Sequence, residues 1–166
     1  MQEAKEEIKS LIERRDKMDV IETEYRYIRA LDSGDWRSVV KMFHKDGRLY
    51  VRESGEKRPV GGIPEIEAMF KDLAGRKVIF QRHYITVPLA TVNGHTATFW
   101  SYYNAIFVHD VFTRLNFGEY DDQLVKEKGE WKFMEKIFGW TWHEFLVPIK
   151  DLKARNLDIR KIWPLP

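Results

Sequence analysis

From Gln2 to Leu31 the chain is dominated by Glu, Lys, Arg, Ala and Leu and holds neither Pro nor Gly, which predicts one long helix, or two with a bend near Asp16. Ile21, Tyr25, Ile28 and Asp32 recur at spacings of four, three and four. At about 100° per residue they fall on one stripe of that helix, which Asp32 closes. Ser33-Gly34-Asp35 then breaks the pattern, and Asp35 is placed to cap a short second helix whose face is Trp36, Val39, Val40 and Phe43. A strand is predicted around Arg48 to Arg52, followed by the turn-like ESGEKRPVGG segment. Pro64 opens a third helix carrying Ile66, Met69, Phe70 and Leu73, and Gly75 stops it.

Beyond Val78 the period changes to two, with β-branched and aromatic residues. Strands are expected near 78–92, 95–108, 112–126 and 131–138. Asn93-Gly94 is the strongest hairpin signal, Lys128-Gly129 marks another turn, and Pro88 requires a bulge or an edge position. Helices first and a meander of strands later describe an α+β fold: a curved, cone-shaped antiparallel sheet with N-terminal helices packed on one face, enclosing a pocket. Residues 1–166 fit a single domain. The stretch from Asp151 to Pro166 is mixed basic and apolar and reads as a docking segment.

Composition narrows the function classes. With 43% hydrophobic and 14% aromatic residues the chain has ample apolar mass for a core and a ligand cavity. Its 28 basic and 26 acidic residues are interspersed and sum to +2, which leaves no electrostatic footprint for nucleic acid or an acidic membrane. Zero Cys excludes disulfides, a thiolate nucleophile and Cys-ligated metals. The charged start MQEAKEEIKS is unlike a signal peptide and no apolar run is long enough to span a bilayer, so a cytoplasmic protein is expected.

Two residues stand where chemistry is plausible. Alternation puts His83 on the same side of its strand as Ile85, Val87 and Leu89, an apolar side, and Asp32 ends an apolar stripe. A buried carboxylate without a partner is expensive and a buried imidazole needs its ring nitrogens satisfied, so a direct Asp32–His83 hydrogen bond would answer both needs. Such a pair fixes the imidazole tautomer and leaves the second nitrogen as a base. Spacing alone leaves a structural and a catalytic role open. The remaining histidines, His44, His95, His109 and His143, lack metal-ligand spacing, so no metal is expected. Gly61-Gly62 reads as a turn, and Phe99, Trp100, Tyr102, Tyr103, Trp140 and Trp142 read as core or as the lining of an apolar cavity.

The stretch from Tyr27 through Asp32 to Trp36, the segment Gln81-Arg-His83-Tyr-Ile-Thr, the Val-Asn-Gly-His-Thr-Ala run at 92–97, Gly129-Glu-Trp131-Lys-Phe133 and Trp142-His-Glu-Phe145 together resemble the SnoaL-like branch of the nuclear-transport-factor-2-like (cystatin-like) superfamily. Within it the chain looks most like scytalone dehydratase and bile-acid 7α-dehydratase, with hexachlorocyclohexane dehydrochlorinase a further relative. The resemblance implies a cofactor-independent dehydratase-type lyase. In it His83 would be the base, Asp32 its partner and Tyr27 a further catalytic residue, acting on a hydrophobic cyclic, polyketide-like, steroid-like or aromatic-derived substrate. It also implies a homo-oligomer, a trimer.

Several positions depart from the relatives. Scytalone dehydratase has a Tyr where this chain has Leu31. A Tyr on the strand after the second helix aligns with Val51, one residue past Tyr50, which makes Tyr50 a substrate-binding candidate. The acidic residue of the bile-acid enzymes falls at Ala105, beside Asn104, the nearest polar group and a second such candidate. His109 matches a second scytalone dehydratase His only with a one-residue slip. The helical stripe favours Tyr25 for the pocket where the resemblance favours Tyr27. An isomerase or cyclase using the same base, and a non-enzymatic binding or assembly protein, are the alternative readings.

Overall fold

The computed structural model describes residues 1–53, 55–76, 78–110 and 112–146; the proposed docking segment lies outside them. Helix α1 (Gln2–Asp32) is continuous, α2 spans Trp36–Lys41 and α3 Ile63–Gly75; the strands are β1 (Phe43–Glu53), β2 (Glu56–Gly61), β3 (Phe80–Asn93), β4 (Thr96–Val108), β5 (Thr113–Glu127) and β6 (Glu130–Leu146). Asp35 caps α2 by accepting the Ser38 backbone N–H at 3.1 Å. Phe43, expected on the face of that helix, instead starts β1 opposite Phe133. The ESGEKRPVGG segment is more than a turn, since it contains β2. Among the described residues no helix is long and apolar enough to cross a membrane.

The six strands form one curved, unclosed sheet in the order β2-β1-β6-β5-β4-β3, with helices packed on it. The sheet is mixed where an antiparallel one was expected: β3 to β6 form the predicted meander, but β1 runs parallel to β6. Hairpin signals fix only neighbours in sequence, and β1 pairs with β6 across about 90 residues. At Pro88 the β3–β4 register shifts between Thr86 and Leu89, with Val87 at φ +55°, so the edge strand bulges where proline cannot donate to the ladder.

Two further bulges decide which residues face inward. The β5–β6 register slips at Gln123/Leu124 and again at Phe117/Gly118. Trp131 and Phe133 face the core before the first slip; beyond it the inward phase passes to Lys136, Phe138 and Trp140. Strict alternation assigns Lys136 to the outer face, and one extra residue brings it in. Gly118 permits a close approach at the second slip: a Cβ there would lie 1.8 Å from the Gly139 carbonyl and 2.7 Å from the Tyr103 ring.

The inward face of α1 is Asp16, Val20, Thr23, Glu24, Tyr27, Ile28 and Ala30, a stripe turned away from the one apolar spacing predicts. Tyr25 is half exposed and Tyr27 is buried. The stripe was hidden because it contains polar residues, each with an internal partner. Asp16 accepts from Lys126 at 2.5 Å and Thr23 donates to the Asp19 carbonyl at 2.8 Å. Glu24 joins a fully buried cluster in which Lys136 donates to Glu24 at 2.5 Å and to Asp122 at 2.7 Å. Asp122 also accepts the Ile137 backbone N–H at 2.8 Å, and the Lys136 ammonium lies 3.8 Å from the Tyr120 ring centroid and 4.3 Å from that of Tyr27. Leaving such a charge without its partner typically costs about 3–5 kcal/mol, so the cluster fixes the rotation of α1 against the sheet.

Two carboxyls share one ammonium here. Burial pushes Asp122 up, and Glu24 is pushed up to about 8, mainly by burial and further by Asp122, against the opposing pull of Lys136. A carboxyl with a raised folded-state pKa binds its proton more tightly when folded, so its stabilising effect is present in acid and is lost as pH rises from about 4.5 towards 8. Thermal melts of wild type should show Tm falling across that interval. Glu24→Gln, which keeps the shape and a hydrogen-bonding carbonyl, is expected to flatten the fall; an equally steep curve in the variant would place the linkage elsewhere.

Candidate active site

Between the helices and the concave face of the sheet lies a cavity of about 450 Å³. Strand register orders its floor. His83, Ala105 and Asn116 face one another across β3, β4 and β5; the next row is Gln81, Phe107 and Arg114, continuing to Phe145 on β6; on the other side come Ile85, Tyr103, Gly118 and Trp140. Ala105 is the small member of the central row, so open space is left between His83 and Asn116.

The last residue of α1 meets the first residues of β3 at this floor. Asp32 Oδ1 lies 2.7 Å from His83 Nδ1, and Asp32 Oδ2 accepts the His83 backbone N–H at 3.1 Å. The Arg82 guanidinium approaches the same oxygen at 3.8 Å. Both members are sequestered, with side-chain exposures of 7% for His83 and 5% for Asp32. Next to them the Gln81 amide donates to the Leu31 carbonyl at 2.7 Å, satisfying one of the acceptors that a helix C-terminus leaves open. An ionised carboxylate only accepts, so the short contact requires the proton on Nδ1 and leaves Nε2 with its lone pair. The Phe107 ring meets the imidazole edge to face at 5.3 Å, restricting its rotation.

Three phenols line the cavity. Tyr103 and Tyr120 stack at 4.6 Å, and Tyr27 meets Tyr120 edge to face at 6.4 Å. Burial pushes all three phenols up; the charges of Glu24 and Asp122 add to the effect at Tyr27, while Arg114 and a hydrogen bond with Trp140 oppose it at Tyr103. They are therefore neutral hydrogen-bond donors and not phenolates at physiological pH.

The structure brings together Asp32, His83 and Tyr27 at one cavity, and it separates the other two candidates from it. Tyr50 is on the opposite face of β1, with the Lys57 ammonium 3.9 Å from its ring centroid; its neighbour Val51 lines the cavity, so that wall is apolar. Asn104 is exposed between the inward residues Tyr103 and Ala105, because alternation on an unbulged β4 turns it outward. His109 does line the cavity, stacked on Phe112 at 4.4 Å.

Asn116 and Arg114 are polar lining residues that hydrophobicity patterning misses. Along β5 they alternate with Leu115 and Phe117, so an apolar-in rule sends the wrong face to the cavity. Their sequence signal is positional, since they share one face of β5 with Tyr120 and Leu124.

The family model for the SnoaL-like domain matches residues 12–136, a span that includes both Asp32 and His83. The chain belongs to this SnoaL-like family. No curated protein matches it. Among solved structures, a candidate scytalone dehydratase from Novosphingobium aromaticivorans is 19% identical over 84% of this chain and 95% of its own, with a TM-score of 0.68. A type 2 hexachlorocyclohexane dehydrochlorinase is 12% identical over 84% and 95%, with a TM-score of 0.69. A Nostoc punctiforme protein with a cystatin-like fold is 22% identical over 75% and 90%, with a TM-score of 0.60. At these identities the solved structures establish the shared fold of the SnoaL-like chain.

Nitrogen-15 NMR of the imidazoles reads the Asp32–His83 contact directly. The His83 ring is expected to show a protonated Nδ1 and a bare Nε2 at alkaline pH. Asp32→Asn should shift the ring towards the other tautomer, and an Nε2–H tautomer in wild type would contradict the contact.

Proposed function

We propose that this SnoaL-like protein is a cofactor-independent lyase of the dehydratase type. The observation that carries the reading is the Asp32–His83 pair opening into an apolar cavity lined by neutral donors. His83 Nε2 takes a proton from a carbon next to a carbonyl, and Asp32 orients the ring and stabilises the imidazolium that forms. As the C–H bond breaks, its electron pair passes into the enolate and then into the new double bond, while the C–O bond at the β carbon breaks and the hydroxyl leaves as water, taking back the proton held by the His83 imidazolium. Donors placed where charge develops usually supply the largest share of such catalysis. Asn116, across Ala105 from the imidazole, and the phenols of Tyr27, Tyr103 and Tyr120 are the groups at hand.

The apolar walls from Val39, Met69, Phe70, Leu73 and Phe138 suit a hydrophobic, ring-containing substrate. The dehydratase and dehydrochlorinase names of structural neighbours support elimination over the isomerase or cyclase alternative, since both describe loss of a small leaving group.

A panel of cyclic β-hydroxy ketones and β-hydroxy acids, followed by mass spectrometry and ultraviolet absorbance, tests this. A product lighter by one water, with a new conjugated chromophore, is expected. His83→Ala should reduce kcat by about two to four orders of magnitude, the range for a lost general base, and Asp32→Asn should lower kcat more than it raises KM. Full activity in His83→Ala with a correctly folded protein would remove the base from the mechanism; a product of unchanged mass would favour isomerisation.

A further inference from the structure

The cavity is apolar along most of its wall but is not electrically balanced. Among the described residues its lining includes Arg76, Arg114, His83 and His109 and contains neither Asp nor Glu. Asp32 lies behind His83, and Arg76 is paired with Asp72 at 2.7 Å on its own helix. Arg114 has no carboxylate within ion-pair distance among the described residues. It projects from β5 onto the cavity floor with its guanidinium carbon 4.8 Å from the Phe107 ring centroid, and its Nε is buried without a hydrogen-bond partner. A buried, unpaired guanidinium nitrogen is costly to leave unmet, and two lysines of this protein show the contrast: Lys136 meets two carboxylates and Lys126 one at short range. Burial pushes the Arg114 guanidinium down, Tyr103 opposes that shift and the Arg76 charge adds to it.

We propose that Arg114 anchors a carboxylate of the substrate, so that the natural ligand is an amphipathic acid: a hydrophobic, ring-containing body with one anionic end. The planar fork of arginine matches a carboxylate in two parallel hydrogen bonds, and the Phe107 face under it holds the plane in place. The register gives the distance at which this anchor works. Arg114 is two strands and one residue pair away from His83, which puts their Cα atoms roughly 12 Å apart on a regular sheet. Phe107 touches both, with its ring perpendicular to the imidazole and its face under the guanidinium. The anchored acid is thus remote from the carbon that loses its proton. Its role is positional, since binding energy from a non-reacting end fixes the reacting end against the base. This deepens the elimination reading above by naming the substrate class, and it takes His83 as the reacting end from that reading.

A pair of inert probes separates the anchor from the chemistry. 2-Naphthoate and 2-naphthamide have the same bicyclic body, differ in charge and carry no leaving group. Trp36 and Trp140 line the cavity and report their binding by fluorescence. The full-length protein is expected to bind naphthoate at least tenfold more tightly than the amide. Arg114→Leu should abolish that preference while leaving the amide affinity unchanged, and Arg114→Lys should retain part of it. Unchanged amide binding also shows that the variant cavity is folded. Equal affinity of wild type for both probes, a preference that survives in Arg114→Leu, or parallel weakening of both probes would each overturn the assignment. Turnover takes no part in this readout. An inactive protein that still discriminates the probes overturns the elimination reading alone, and an active one that does not discriminate them overturns the anchor alone.

Discussion

A helix C-terminus is a poor place for an anion, because the unpaired carbonyls there carry partial negative charge worth about 0.3–1 kcal/mol against a carboxylate. Asp32 is the last residue of α1, and its carboxylate is held there by the His83 ring, the His83 backbone N–H and the nearby Arg82. With Gln81 bonded to the Leu31 carbonyl, these contacts strap the end of the long helix to the first residues of β3. The wall, the floor and the imidazole orientation of the cavity all depend on this junction. A residue pair read as catalytic is therefore also a structural fastening, and substitutions in it bear on geometry as well as on proton transfer.

The second fixed point is the Glu24–Lys136–Asp122 cluster. It lies directly behind Tyr27 and Tyr120, whose rings cover the ammonium on the side facing the cavity. The apolar hollow is thus backed by buried charge at one end and fronted by the unmatched Arg114 towards the other. Together the two features give the cavity a polarity that its lining composition alone does not convey.

Much of the architecture was legible in the chain, and the limits have physical causes. Helix periodicity, the Asp35 cap, the Asn93-Gly94 hairpin and the Pro88 irregularity all act over a few residues, so local chemistry announces them. Asp32 and His83 were legible as a contact because each had a desolvation problem that the other solves. The rotation of α1 was not, since it follows from partners far along the chain: Glu24 and Asp16 turn inward only because Lys136 and Lys126 wait there. Likewise a single-residue slip in β6 inverts the in-out rule and carries Lys136 into the core, and nothing in a period-two pattern marks where that slip falls. Tyr50 and Asn104 failed as lining residues for the same reason of parity, being one residue away from Val51 and Ala105 on their strands.

The parallel pairing of β1 with β6 joins segments about 90 residues apart, Phe43 opposite Phe133, and among the described strands β6 alone bridges the β1–β2 hairpin and the β3–β5 meander. During synthesis on the ribosome, then, neither half of the sheet can dock on the other until β6 has emerged. Until that moment the apolar face of α3, with Ile66 and Phe70, and the inner face of the meander lack the strand that completes their enclosure, the condition under which nascent chains aggregate. Among the described strands β6 is the last to leave the exit tunnel and closes the chamber, and a truncation that removes it would leave two half-sheets with no strand pairing between them.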